Sequence, residues 1–161
     1  MNPAAQKYAA QYPERAYQSE ISVTKVKLAF GEQVLKVWLM AQLENLNDFA
    51  GVKAKMNLEQ MEELANIISI DYGYLRAAEI LLFFHLFKKG QYGQLYGSVD
   101  PQLIAAALFQ YTKDRQVSIA RIEAENNRRQ LDLQRAEWAK NGITREEFER
   151  RKSAKPKNTS Y

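Results

Sequence analysis

The sequence predicts an all-α protein: a compact helical body of four to five helices, followed by a long, charged C-terminal helical arm. Three observations predict it. Apolar residues recur at spacings of three and four through most of the 161 residues. Helix start and stop signals punctuate those stretches at Asn57/Gln60, Lys88-Lys89-Gly90 and Asp100-Pro101. Beyond Lys113 the apolar residues thin out and charged residues take over both faces. The divisions that follow are a short N-terminal helix and loop (1–18), the helical body (19–113), the charged arm (114–152) and a disordered tail (153–161).

In chain order, Asn2 to Tyr12 has helical spacing through Ala5, Tyr8, Ala9 and Tyr12, and Pro13 stops it, because proline disfavours helix in the residue before it. The expectation is a short, loosely attached helix. From Ser22, the residues Val26, Ala29, Phe30, Val34, Val37, Trp38 and Ala41 repeat at three and four, widened by Leu39 and Leu43. They predict one long core helix, with Gly31 inside it at a cost of about 1 kcal/mol relative to alanine, marking a close helix contact or a bend, of which the packing contact is preferred.

Ala50-Gly51 breaks the chain, and Asn57 with Gln60 forms a capping-box-like start to a helix whose core face is Leu58, Met61, Leu64, Ala65 and Ile68. The chain turns near Asp71-Tyr72-Gly73. Leu75 to Lys89 is then densely apolar, and two lysines and a glycine end it. Gly90 to Gly97 carries three glycines and two tyrosines in eight residues, so it reads as an irregular loop or small hairpin. Asp100 and Pro101 are an N-cap and first-turn pair for the next helix, whose core face is Leu103, Ala107, Leu108 and Tyr111. Asn141-Gly142 ends the arm helix, and Thr144 with Glu147 restarts a brief one.

Composition narrows the chemistry. With no cysteine, the chain has no disulfide, thiolate nucleophile or sulfur-ligated zinc site, which fits a reducing, cytoplasmic setting. No charged-then-apolar leader opens it, and the run Ile80 to Phe84, resuming at Leu86 and Phe87, is too short to span a bilayer. No membrane association is expected. The single histidine, His85, lies between Phe84 and Leu86 and reads as structural, so triads and multi-histidine metal sites are excluded. No metal and no cofactor are implied. Glu79 lies among apolar residues with Arg76 three positions earlier, and a surface ion pair explains it. An enzyme would need Glu79 or Asp71 in a closed pocket beside a second polar group; the reading is that the protein is not an enzyme.

The net charge of +4 is uneven: residues 113–161 hold 13 Lys/Arg against 8 Asp/Glu. A basic arm favours an anionic partner, although interleaved acids such as Glu123, Glu125 and Asp132 also suit a solvated helix. In the Gly-Tyr loop, Tyr92 and Tyr96 beside Lys88 and Lys89 could stack on nucleic-acid bases, pack over the helix ends, or form a peptide-binding lip. The Walker spacing is absent.

The run Phe87 to Asp100, with Met61, Ile67 and Tyr74 upstream and Tyr111 to Arg115 downstream, resembles an uncharacterised family of small helical proteins from Bacteroidales genomes, phages and mobile elements. The resemblance covers residues 30 to 115, and its signature is Phe-x-x-Gly-x-Tyr-Gly-x-x-Tyr-Gly. It carries no activity to transfer. By analogy of architecture with phage helicase loaders and replication organisers, the expected function is a non-catalytic accessory or adaptor for DNA transactions. Its contacts with nucleic acid or a partner would be Lys88, Lys89, Tyr92, Tyr96, Arg128, Arg129, Arg150 and Arg151. The alternative is a structural or assembly adaptor that binds protein partners or self-associates, without nucleic acid.

Overall fold

A computed structural model describes residues 4–142 and 145–153. Among them are eight helices and no strand: α1 (Ala5–Gln11), α2 (Pro13–Gln18), α3 (Val23–Phe30), α4 (Glu32–Ala50), α5 (Leu58–Asp71), α6 (Ala77–Lys88), α7 (Pro101–Asn141) and α8 (Arg145–Ser153). The chain divides into two units, Met1–Ile119 and Ala120–Tyr161.

The first unit is organised around α6. Eight of its twelve residues are buried, from Ala77 to Phe87, which is the pattern of a helix surrounded by others. α1, α2 and α4 pack on it, α5 and α3 pack on α4, and the first turns of α7 add Ile104, Ala107, Leu108 and Tyr111 to the same core. An aromatic cluster ties this core together: Phe83 lies 5.6 Å from Tyr111 and 6.2 Å from Tyr92, ring centroid to centroid.

Several local signals form as the residues dictate. The Asn57 carboxamide accepts from the Gln60 N–H at 2.8 Å while Gln60 accepts from the Asn57 N–H at 3.0 Å. Asp100 caps α7 by accepting from the Gln102 N–H at 2.8 Å, with Pro101 in the first turn. Gly51 ends α4 in the left-handed conformation. Between these, buried Asn47 clamps the α4–α5 connection, accepting from the Met56 N–H and donating to the Met56 carbonyl at 3.1 and 3.0 Å.

Pro13 ends the first helix as expected, with α1 stopping at Gln11 and Tyr12 outside it, and it also opens α2, where a first-turn proline loses no hydrogen bond. Other expectations are corrected. α1 is not loosely held: it buries Gln6 and Ala9 against α6. The long helix expected from Ser22 is two helices, because Gly31 sits at φ +88°. The break resets the helical phase. Leu35, Trp38, Leu39, Leu43 and Leu46 face the core, while Phe30, Val34 and Val37 are exposed. Leu58, expected on the core face of α5, is exposed as well.

In the second unit the described side chains of α7 and α8 are exposed apart from the half-buried Ile122, and they include Leu131, Leu133 and Trp138. α7 ends at Asn141, as the Asn-Gly pair indicates. Thr144, and the tail beyond Ser153, lie outside the described residues. No helix among the described residues is long and apolar enough to cross a membrane.

Candidate functional site

The C-terminus of α6 delivers Lys88 and Lys89 to one edge of a cleft of about 320 Å³ that Leu46 and Phe49 of α4 and Gly90 and Gly93 of the following loop also line. Glycine is required in that loop: Gly90, Gly93 and Gly97 have φ of +85°, +118° and +73°. The loop is irregular, with no hairpin pairing.

Lys88 is engaged inward. Its ammonium donates to the Gln6 side-chain oxygen at 2.8 Å and to the Asn45 side-chain oxygen, and it lies 5.5 Å from the Phe49 ring centroid. Gln6 in turn donates to Gln42 at 2.8 Å, so one polar chain joins α1, α4 and α6. Burial holds the Lys88 ammonium below its ordinary pKa. Lys89 is exposed.

The two loop tyrosines part company. Tyr92 packs on Phe83 and, edge to face, on Tyr111 at 6.1 Å. Burial pushes its phenol well above the ordinary range, with the nearby Asp114 carboxylate adding to the rise. Tyr96 is 81% exposed and donates to Gln94 at 2.8 Å. A platform of two tyrosines beside the lysines is therefore not assembled, because the face of Tyr92 is used by the core.

Arg128 and Arg129 stand on α7 beside a shallow groove shared with Glu125, Asp132 and Leu133. Neighbouring arginines pair within one turn: Arg121 with Glu125 at 3.0 Å, Arg135 with Asp132 at 3.9 Å and, on α8, Arg145 with Glu149 at 3.8 Å. Arg150 is exposed on α8, and the side chain of Arg151 lies outside the described residues.

Glu79 is not the surface acid expected. Its side chain is wholly buried, and its partner is Arg115 of α7 rather than the Arg76 guanidinium. Arg76 contributes only its backbone N–H, which donates to Glu79 at 3.0 Å at the start of α6. With both oxygens occupied, this carboxylate is a structural anchor. Asp71 is exposed. Among the described residues no three acidic or histidine side chains converge as a metal-binding set. Sequence reasoning missed the Glu79–Arg115 pair because 36 residues separate its members, and missed the Gln6–Gln42–Lys88 chain for the same reason.

No curated protein and no solved structure matches the chain. A family model does, over residues 55–159, a span that takes in α5, α6, the Gly-Tyr loop, α7 and the described part of α8. With most of its length matched, the chain belongs to the family of unknown function DUF6633.

Proposed function

We propose that this protein is a non-catalytic accessory factor for DNA transactions of a phage or mobile element, whose helical body docks a protein partner and whose C-terminal unit contacts nucleic acid. The observation that carries this reading is the division of charge. Residues 120–161 hold 11 Lys/Arg against 7 Asp/Glu, which leaves 12 of each in residues 1–119, so the whole net charge of +4 belongs to the second unit. A solvated, net-basic helical segment suits the low-specificity electrostatic contact that phosphate backbones offer. Within the contact set, Arg128, Arg129, Arg150 and Arg151 are the arm's share and Lys89 and Tyr96 the body's. Lys88 and Tyr92 support the loop from behind. The phage and mobile-element setting rests on the resemblance of the Phe87–Gly97 signature.

Fluorescence-anisotropy titration of labelled single- and double-stranded DNA at several salt concentrations tests the proposal. Binding should weaken steeply with salt, and the full chain carrying R128E, R129E, R150E and R151E should bind more weakly on every sequence, with a shallower salt slope. Absence of binding at low salt overturns it. A second reading, an assembly adaptor without nucleic acid, is favoured by the uncovered apolar side chains Leu28, Phe30, Val34 and Val37 on the neutral body.

A further inference from the structure

We infer that the cleft at the C-terminus of α6 captures the C-terminal carboxylate of a protein partner, with Lys88 as its counter-ion and the partner's apolar last side chain seated on Leu46, Phe49 and Phe87. The inference rests on the docking half of the proposed function, that the helical body binds a protein, and not on any contact with nucleic acid.

The cation has no counter-charge. An ammonium carries three N–H donors, and the neutral side-chain oxygens of Gln6 and Asn45 take two of those on Lys88. These contacts join α1, α4 and α6, and every acid of those helices is absent or engaged elsewhere. α1 contains none. On α4, Glu32 pairs with Lys27, Glu44 accepts from the Asn47 carboxamide, and Asp48 pairs with Lys55. The one acid of α6, Glu79, is held by Arg115. Asp100, the one acid between α6 and α7, caps α7. Burial accordingly lowers the Lys88 pKa with no nearby carboxylate to raise it. A half-buried charge left unpaired is costly, and a neutral amide or hydroxyl donor would hold the Gln6 and Asn45 oxygens without that cost.

Beside the cation the cleft is apolar. Leu46 and Phe87, both buried, line it, and Phe49, 5.5 Å from the Lys88 ammonium, is 60% exposed next to them. An apolar group seated there would cover Phe49. Among the described residues no acid lines the cleft, and Lys89 adds a second positive charge. Its volume of about 320 Å³ is at the small end of ligand sites, room for roughly one or two peptide residues.

The rim favours a peptide over a free acid. Gly93, Gln94 and Leu95 line the cleft, and their backbone N–H groups make no hydrogen bond among the described residues. A free acid brings these donors nothing beyond its carboxylate, whereas an extended peptide brings a carbonyl at every residue.

Fluorescence anisotropy of the full chain with two labelled pools of short peptides tests the inference. Both pools are random except for a last residue of leucine, isoleucine or phenylalanine; one ends in a free carboxylate and the other in an amide. The free-acid pool should bind about tenfold tighter, as a charge-assisted hydrogen bond predicts. K88M should abolish that preference. Because Lys88 also ties three helices together, F49A serves as a second variant that leaves the tie in place and should weaken binding of the free-acid pool several-fold. In the wild type, NMR of lysines labelled with ¹³C at Cε should show the Lys88 pKa rising on addition of the free-acid pool and not of the amide, a change that a merely structural lysine would not make. Equal binding of the two pools, no binding by either, or a preference that survives K88M would each overturn the inference. So would hexanoate that displaces the free-acid pool at equal concentration, which would assign the cleft to a free acid. DNA is absent from every mixture, so failure here is visible separately from the salt-dependent DNA titration that decides the nucleic-acid reading.

Discussion

Arg115 of α7 closes on both oxygens of the Glu79 carboxylate of α6, with Nε 2.5 Å from Oε1 and Nη2 3.2 Å from Oε2. The carboxylate is wholly buried and the guanidinium side chain is 18% exposed. Burial alone would lower the Arg115 pKa, but the hydrogen bond to Glu79 and its charge more than offset that and hold it above its ordinary value. The pair fixes the first turns of α7 to the first turn of α6.

Removing one member leaves the other without its counter-charge, and the two truncations are unequal. Arg115→Ala strands a carboxylate with no access to water and should cost about 3–5 kcal/mol, whereas Glu79→Gln strands a guanidinium that can reach solvent and should cost less. Urea unfolding of both single variants and the double variant checks this. Equal costs would overturn the argument from unequal burial, and a double variant no better than the sum of the singles would mean the pair is not coupled.

Tyr111 is buried near Tyr17, and its hydroxyl makes no hydrogen bond of ordinary geometry among the described residues. Burial pushes its phenol far above the ordinary tyrosine value, with the Tyr17 and Glu79 charges adding to the rise. A raised folded-state pKa contributes stability that is present below the unfolded value of about 10 and is lost as pH rises above it. Tyr111→Phe should be neutral or stabilising by up to about 1 kcal/mol at pH 7, and should lose less stability than the wild type between pH 9 and roughly 11. A loss above 1 kcal/mol at pH 7 would reveal a hydroxyl partner.

Gly73 is held against α3. Thr24 donates both its backbone N–H and its hydroxyl to the Gly73 carbonyl at 2.9 Å, and a Cβ on Gly73 would lie 2.6 Å from that hydroxyl oxygen and 3.1 Å from the Ser69 carbonyl. Gly73→Ala should cost about 1–3 kcal/mol by overpacking. Adding Thr24→Ala should recover part of that cost, read as non-additivity in thermal unfolding. Additive effects would mean the turn moves away as a whole.

Gly31 has open space around its Cβ position, so only backbone strain opposes a side chain there. Gly31→Ala should cost about 1–3 kcal/mol, because alanine pays for φ +88° where glycine does not. Calorimetric unfolding checks it, and a stabilised variant would indicate that α3 and α4 can fuse into one helix.

Most signals that act within a few residues were legible in the sequence. The Asn57–Gln60 box, the Asp100–Pro101 start, the Lys88-Lys89-Gly90 stop and the Gly51 cap are interactions between near neighbours, and each forms where its residues stand. The all-α class is the sum of such signals, and the charge imbalance of the arm is composition alone. Of the candidate contacts, the exposed Arg128, Arg129 and Lys89 lie where a sequence of charges puts them.

Only the tertiary structure decided which face of a helix is inside and which polar groups meet. A periodic stripe cannot register that one glycine at φ +88° rotates everything after it, so Val34 and Val37 carried a core signature and ended on the surface. Glu79 has a neighbour in sequence, Arg76, that is an ordinary surface partner, and Lys88 reads as an exposed cation at a helix end. Their partners in space, Arg115 across 36 residues and Gln6 across 82, exist only because α1 and α7 both pack onto the same central helix. Propensity and capping act over one turn, whereas burial and charge pairing act between helices whose order in the chain says nothing of their contact.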